Sequence, residues 1–148
     1  LVEYIEEEVG HQEWILNDIN ACGADAEAVR HGQPGANIEL MVAFLYHQID
    51  RGNPMALFGM VQVLEGTSVA IALTVAEQLQ QGLQLPEQAM SYLSSHGARD
   101  REHRRLFESL MNRVTGPADQ AAIIHAARIV YRLYGDMLRA LEVGDEAA

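Results

Sequence analysis

The chain has 148 residues, a formal net charge of −11, 49% hydrophobic residues and one cysteine, Cys22. A domain of this length buries roughly 68–70% of the surface its unfolded chain exposes, so it can build a core, and the composition excludes a disordered chain. The acidic balance argues against a nucleic-acid partner, whose phosphates need clustered Lys and Arg, and a single cysteine excludes an intrachain disulfide, as suits a reducing, cytoplasmic setting.

The helical pattern is already running at Leu1, Val2, Glu3, Tyr4 and Ile5, with no capping side chain ahead of it. The expectation is therefore a chain that starts inside a helix, with a natural N-terminal portion before it. This first helix is expected over residues 1–22, with Val2, Ile5, Val9, Ile15, Leu16 and Ile19 as its apolar set and Gly23 as its stop. A polar loop follows, broken by His31, Gly32, Gln33, Pro34 and Gly35, and a short helix covers residues 37–50. Asn53 and Pro54 are a start signal for a third helix over 54–81, since Asn caps and Pro fits the first helical position. That helix is apolar nearly all round (Met55, Leu57, Phe58, Met60, Val61, Val63 and Leu64 among others), which predicts a central, buried position. No uninterrupted apolar run approaches the ~20 residues of a spanning helix, so no membrane is expected as a partner. Pro86 opens a fourth helical region to about residue 114, with Gly97 as a candidate bend, and Thr115, Gly116 and Pro117 turn the chain into a last helix over 118–141. Strand signals are absent, and the fold class is all-α.

His96, Asp100 and His103 lie on the fourth region at i, i+4 and i+7. At about 100° per residue they fall near 0°, 40° and −20°, one narrow stripe. Imidazole and carboxylate groups stacked in this way match what a transition metal takes from a helix. The first helix carries Glu8 and His11, three apart, with Glu7 as the substitute for Glu8. The third carries Glu65 inside an apolar stretch, where a carboxylate costs several kcal/mol unless it is paired or protonated. Three carboxylates carry three negative charges; two divalent ions leave the shell near +1, which a hydroxide, a peroxide or a substrate carboxylate can neutralise, and one leaves it near −1, so a metal pair is favoured and a single ion stays open. Mixed nitrogen and oxygen donors without thiolate suit iron or manganese, and such sites in helix bundles commonly hold two irons.

Each residue also has a plainer role. Glu-x-x-His is common on solvated helix faces, Glu65 can bond a neighbouring helix, and the stripe can form a surface ladder with Arg99, Arg101 and Arg104. His31 and His47 read as surface residues, and His125, Tyr131, Tyr134 and Trp14 as core.

The order Glu-x-x-His-x-x-Trp from Glu8, with Asp18 four beyond Trp14, then Leu-Glu-Gly-Thr at 64–67, then His-x3-Asp-x2-His at 96–103, resembles the iron-containing redox enzymes of the haem-oxygenase-like fold. That group includes the haem-oxygenase-like di-iron oxidases and is related to the pyrroloquinoline quinone biosynthesis oxidase and the TENA/thiaminase II proteins. The resemblance runs from Tyr4 to about Leu141. It implies one haem-oxygenase-like helical bundle, its N-terminal helices missing from this chain, with Glu8, His11, Glu65, His96, Asp100 and His103 as metal ligands. It also implies O2 and a small, carboxylate-bearing organic molecule as substrates. Cys22, at a helix end, does not match the thiaminase nucleophile.

Three functions follow as expectations. The first is a non-haem, O2-activating iron oxidase or oxygenase with two irons, or manganese in their place. The second is a cofactorless enzyme or binding protein of the same fold, in which the histidines take a substrate proton. The third is a helical interaction domain. A homo-oligomer, specifically a dimer, is expected as the assembly.

Overall fold

Apolar residues at helical spacing, separated by Gly, Pro and Asp punctuation, produce an all-α chain. The computed structural model describes Glu6 and residues 8–141, with the side chains of residues 96–104 outside that description. The helices are α1 (His11–Ala21), α2 (Ala26–Arg30), α3 (Ala36–Arg51), α4 (Ala56–Leu83), α5 (Ser91–Met111) and α6 (Pro117–Arg139), with a 3-10 turn at Glu87–Met90 before α5. No strand occurs among the described residues. The chain divides into two compact units, Leu1–Gln33 with Glu65–Phe107, and Pro34–Leu64 with Glu108–Ala148.

In the first unit α1 packs against α2 and the 3-10 turn. Ala76, Ala89 and Met90 form its buried cluster, flanked by Ala21, Leu85 and Leu93. The expected first helix is interrupted: Glu6 and Glu8 are helical, but Gly10 stands at φ 97° ahead of α1. A left-handed residue cannot continue the right-handed ladder, and glycine alone takes that conformation without a Cβ penalty. The expected stop at Gly23 is present, at φ 83°, with the Ala24 N–H bonding the Ile19 carbonyl and the Gly23 N–H bonding that of Asn20. The loop expected next contains α2. Asp25 caps it, its Oδ1 accepting the Glu27 and Ala28 N–H groups at 3.0 Å.

The second unit is built by α3 packing on α6. Leu45, Val63 and Val130 form its buried cluster, joined by Met41, Phe44, Met60 and Ala127. Asn53 starts the α4 region as expected: its Oδ1 accepts the Met55 N–H at 3.0 Å, and its amide donates to Asp119 at 2.7 Å. His125 and Tyr131, expected in the core, are exposed. The His125 ring meets Phe44 edge-on, with centroids 5.9 Å apart.

The expectation for α4 holds over its first half, where Ala56, Gly59, Val61 and Val63 are buried. Further on it buries Ala72 and Ala76 while Ile71, Leu73, Leu79 and Leu83 are exposed. Small residues spaced i, i+4 make the contact there, and the bulky ones flank it. By length and composition α4 is able to cross a membrane, the one such helix among the described residues, as core helices of soluble proteins also are. This revises the expectation drawn from uninterrupted runs, because Gln62, Glu65, Thr67 and Ser68 break up an otherwise apolar helix. Gly97 does not split α5, which is helical throughout Ser91–Met111.

Candidate metal centre

Glu8 and His11 meet although Gly10 breaks the helix between them. His11 Nδ1 lies 2.9 Å from Glu8 Oε2, with the imidazole 12% and the carboxylate 34% exposed. The imidazole also lies against Trp14, with ring centroids 4.2 Å apart and planes tilted by 30°. The ring is therefore held at its edge by a carboxylate and across its face by an indole. A histidine that donates from Nδ1 to a carboxylate presents its Nε2 lone pair outward, the arrangement that orients and strengthens histidine ligands of metals.

Glu65 lies in α4, two residues beyond buried Val63. Its side chain is half-buried and Oε1 is shielded from solvent. The carboxylate therefore does not stand in bulk water, and a cation close by would offset its desolvation.

The backbone of α5 is helical across positions 96, 100 and 103, the condition that the i, i+4, i+7 spacing requires. The side chains of His96, Asp100 and His103 lie outside the described residues, as does Glu7, the alternative to Glu8. Among the described residues no three His, Cys, Asp or Glu side chains gather closely enough to hold a metal. Glu8 and His11 are the two candidate ligands brought into contact. All six candidate positions nevertheless belong to the first compact unit. His31 and His47 are exposed, as expected of surface residues, and so is Cys22.

The start of α5 is held by a residue to which spacing assigned no role. Asp18 is 8% exposed, the one buried charged residue among those described. Its Oδ1 accepts the Ser91 N–H at 3.1 Å and the Ser91 hydroxyl at 2.5 Å, and its Oδ2 accepts the Tyr92 N–H at 2.8 Å. The signal that could have found it is the stripe of α1: Asp18 follows His11 by seven and Trp14 by four, so all three share one face.

The donors present fit a divalent cation such as iron: a shielded carboxylate oxygen at Glu65, an imidazole oriented by a carboxylate at His11, and no thiolate among them. A family model described as iron-containing redox enzyme matches residues 1–135. No curated protein and no solved structure gives a match. The chain belongs to the iron-containing redox enzyme family, and its all-α architecture is consistent with the haem-oxygenase-like fold.

Proposed function

From that membership we propose that the chain is a non-haem, O2-activating iron oxidase or oxygenase with a two-iron centre, manganese being the alternative metal. Glu8, His11, Glu65, His96, Asp100 and His103 would hold the metals, and the substrate is a small organic molecule bearing a carboxylate. The observation that carries this reading is the shielded Glu65 carboxylate, in the same compact unit as the contacting Glu8–His11 pair and the helix bearing His-x3-Asp-x2-His. Iron in such a site supplies the electrons that reduce O2. The chain's own contribution is orientation and shielding. In the metal-free contact Glu8 orients the His11 ring from its Nδ1 edge and Trp14 covers one of its faces; to act as a ligand Glu8 would exchange that hydrogen bond for the metal. Half-buried Glu65 brings negative charge into an apolar helix, where a cation is held more strongly than in water.

Anaerobic titration with Fe(II) is expected to show close to two equivalents bound, and His103→Ala or Glu65→Ala to lower that number. Unchanged binding in both variants rejects the site. Trp14 is the single tryptophan and lies against His11, so its fluorescence should be quenched as the site fills.

The Glu8–His11 contact also favours a second reading, a cofactorless enzyme of the TENA or pyrroloquinoline quinone biosynthesis type. There His11, backed by Glu8, would remove a substrate proton. Metal content after expression in iron-rich medium separates the two. A reducing, cytoplasmic setting and a homodimer complete the proposal. Lone exposed Cys22 supports the first, and the exposed apolar residues of α4 support the second; sedimentation measures the assembly mass.

A further inference from the structure

The first N–H groups of a helix have no partner within it. Helices usually solve this locally, with a Ser, Thr, Asp or Asn just before the first turn. At α5 that place is held by Met90, whose thioether is only a weak acceptor, and the carboxylate comes instead from Asp18 on α1, 73 positions away in sequence. Both of its oxygens are used: Oδ1 on the Ser91 N–H and hydroxyl, Oδ2 on the Tyr92 N–H. The contact is therefore both a cap and a tether between two helices, and its burial shields it from competing water.

Its position gives the tether a second consequence. Asp18 lies seven residues beyond His11 on the same stripe of α1, about 10 Å along the axis. Ser91 lies five residues before His96, about 7.5 Å along α5. One two-oxygen clasp thus links the helix bearing His11 to the helix bearing His96, Asp100 and His103, close to the first candidate ligand on each. Metal–ligand distances tolerate only about ±0.2 Å, so a slip of one helix along the other is felt as lost affinity.

We infer that Asp18 is a positioning residue, which sets the register of α5 against α1 and thereby the affinity of the metal centre. The inference rests on the metal-centre reading above. Co(II) alone, titrated anaerobically into the purified chain, is the probe, read by Trp14 fluorescence and by the Co(II) absorption spectrum. Asp18→Ala is expected to weaken Co(II) binding by about ten-fold or more, the range found when groups that orient metal ligands are removed. Adding Ser91→Asp to Asp18→Ala supplies α5 with a first-turn carboxylate of its own. That pair of changes is expected to recover the thermal midpoint but not the Co(II) affinity or the wild-type spectrum, because the helix is capped again and the tether is still missing.

Recovery of affinity together with the midpoint overturns the inference, as Asp18 would then serve helix stability alone. Wild-type affinity in Asp18→Ala overturns it as well, while leaving the metal centre standing. A wild-type chain that shows no Co(II) quenching and no spectrum overturns the metal-centre reading itself, and the inference with it. Where Asp18→Ala does not fold, Asp18→Asn decides. It keeps one acceptor oxygen but turns an amide N–H2 toward a backbone N–H, so weaker Co(II) binding in the folded variant supports the inference and unchanged binding overturns it.

Discussion

Gln84 is the one described residue other than glycine with positive φ, at 52°. It ends α4, where the Leu85 N–H reaches back to the Gln80 carbonyl at 3.0 Å, the closing bond of a left-handed helix terminus. A side chain in that conformation costs roughly 1–2 kcal/mol, and glycine relieves it while making the unfolded chain freer. Gln84→Gly is therefore expected to stabilise the chain by up to about 1 kcal/mol, seen as a higher urea midpoint at unchanged slope; a lower midpoint contradicts the account. The Arg30 fork is a second residue-scale case. It donates to both Glu13 oxygens, at 2.7 and 2.6 Å, and to Glu27 at 3.0 Å. The two bonds to Glu13, aided by the guanidinium charge, hold its carboxyl below its ordinary 4.5. A carboxylate whose pKa is lowered by folding stabilises the fold fully above its unfolded value and loses that contribution as pH falls through the folded one. Wild type and Glu13→Gln should therefore differ in stability above pH 4.5 and converge well below it. Because the pair is exposed, added salt should shrink the difference. A gap that widens in acid would rule this linkage out.

Helix contacts concentrate cost at single positions. Gly59 on α4 is buried, and a Cβ there would lie 2.7 Å from the Ala127 nitrogen of α6 and closer still to the Ile123 carbonyl oxygen. Backbone atoms cannot yield as a flexible side chain can, so Gly59→Ala must push α4 and α6 apart. It is expected to destabilise by about 1–3 kcal/mol, as overpacking does; equilibrium unfolding at wild-type stability would show that the two helices approach less closely. Helix existence was legible from periodicity and punctuation. Asn53 and Pro54 announced the start of the α4 region, Gly23 the end of α1, and Pro117 the start of α6. What escaped was decided by choices that glycine leaves open. Gly10 and Gly97 both interrupt helical patterns, yet Gly10 takes φ 97° and breaks the helix whereas α5 continues as one helix past Gly97. Five-residue α2 is too short for a periodic signal, although Asp25 is a capping residue in plain view. Burial on α4 was legible only in part, since an apolar surface states what a helix tolerates and not which neighbours it receives.

At the scale of the whole molecule, the candidate site was legible to the extent that its chemistry is local. Glu8 with His11, and His96 with Asp100 and His103, are short-range spacings; Glu65 declared itself by being out of place in an apolar helix. The stripe of α1 could place Asp18 on the face of His11 and Trp14 but could not give its role, because its partners are 73 and 74 positions away and no local pattern encodes a tertiary cap. The grouping of all six candidate positions within one compact unit is likewise a property of the fold, and it makes a prediction that depends on no substrate. A metal that binds only the folded state stabilises it by about 2.7 kcal/mol at a free concentration one hundred times its Kd. If its ligands all lie in the first unit, the openings it suppresses are those of that unit. Hydrogen exchange with and without Co(II) should then slow across α1, the part of α4 from Glu65 onward, and α5 up to Phe107. Backbone amides around Leu45, Val63 and Val130 in the second unit should change far less. Protection spread evenly over both units, or confined to the second, would mean that the metal is held by other residues than these six.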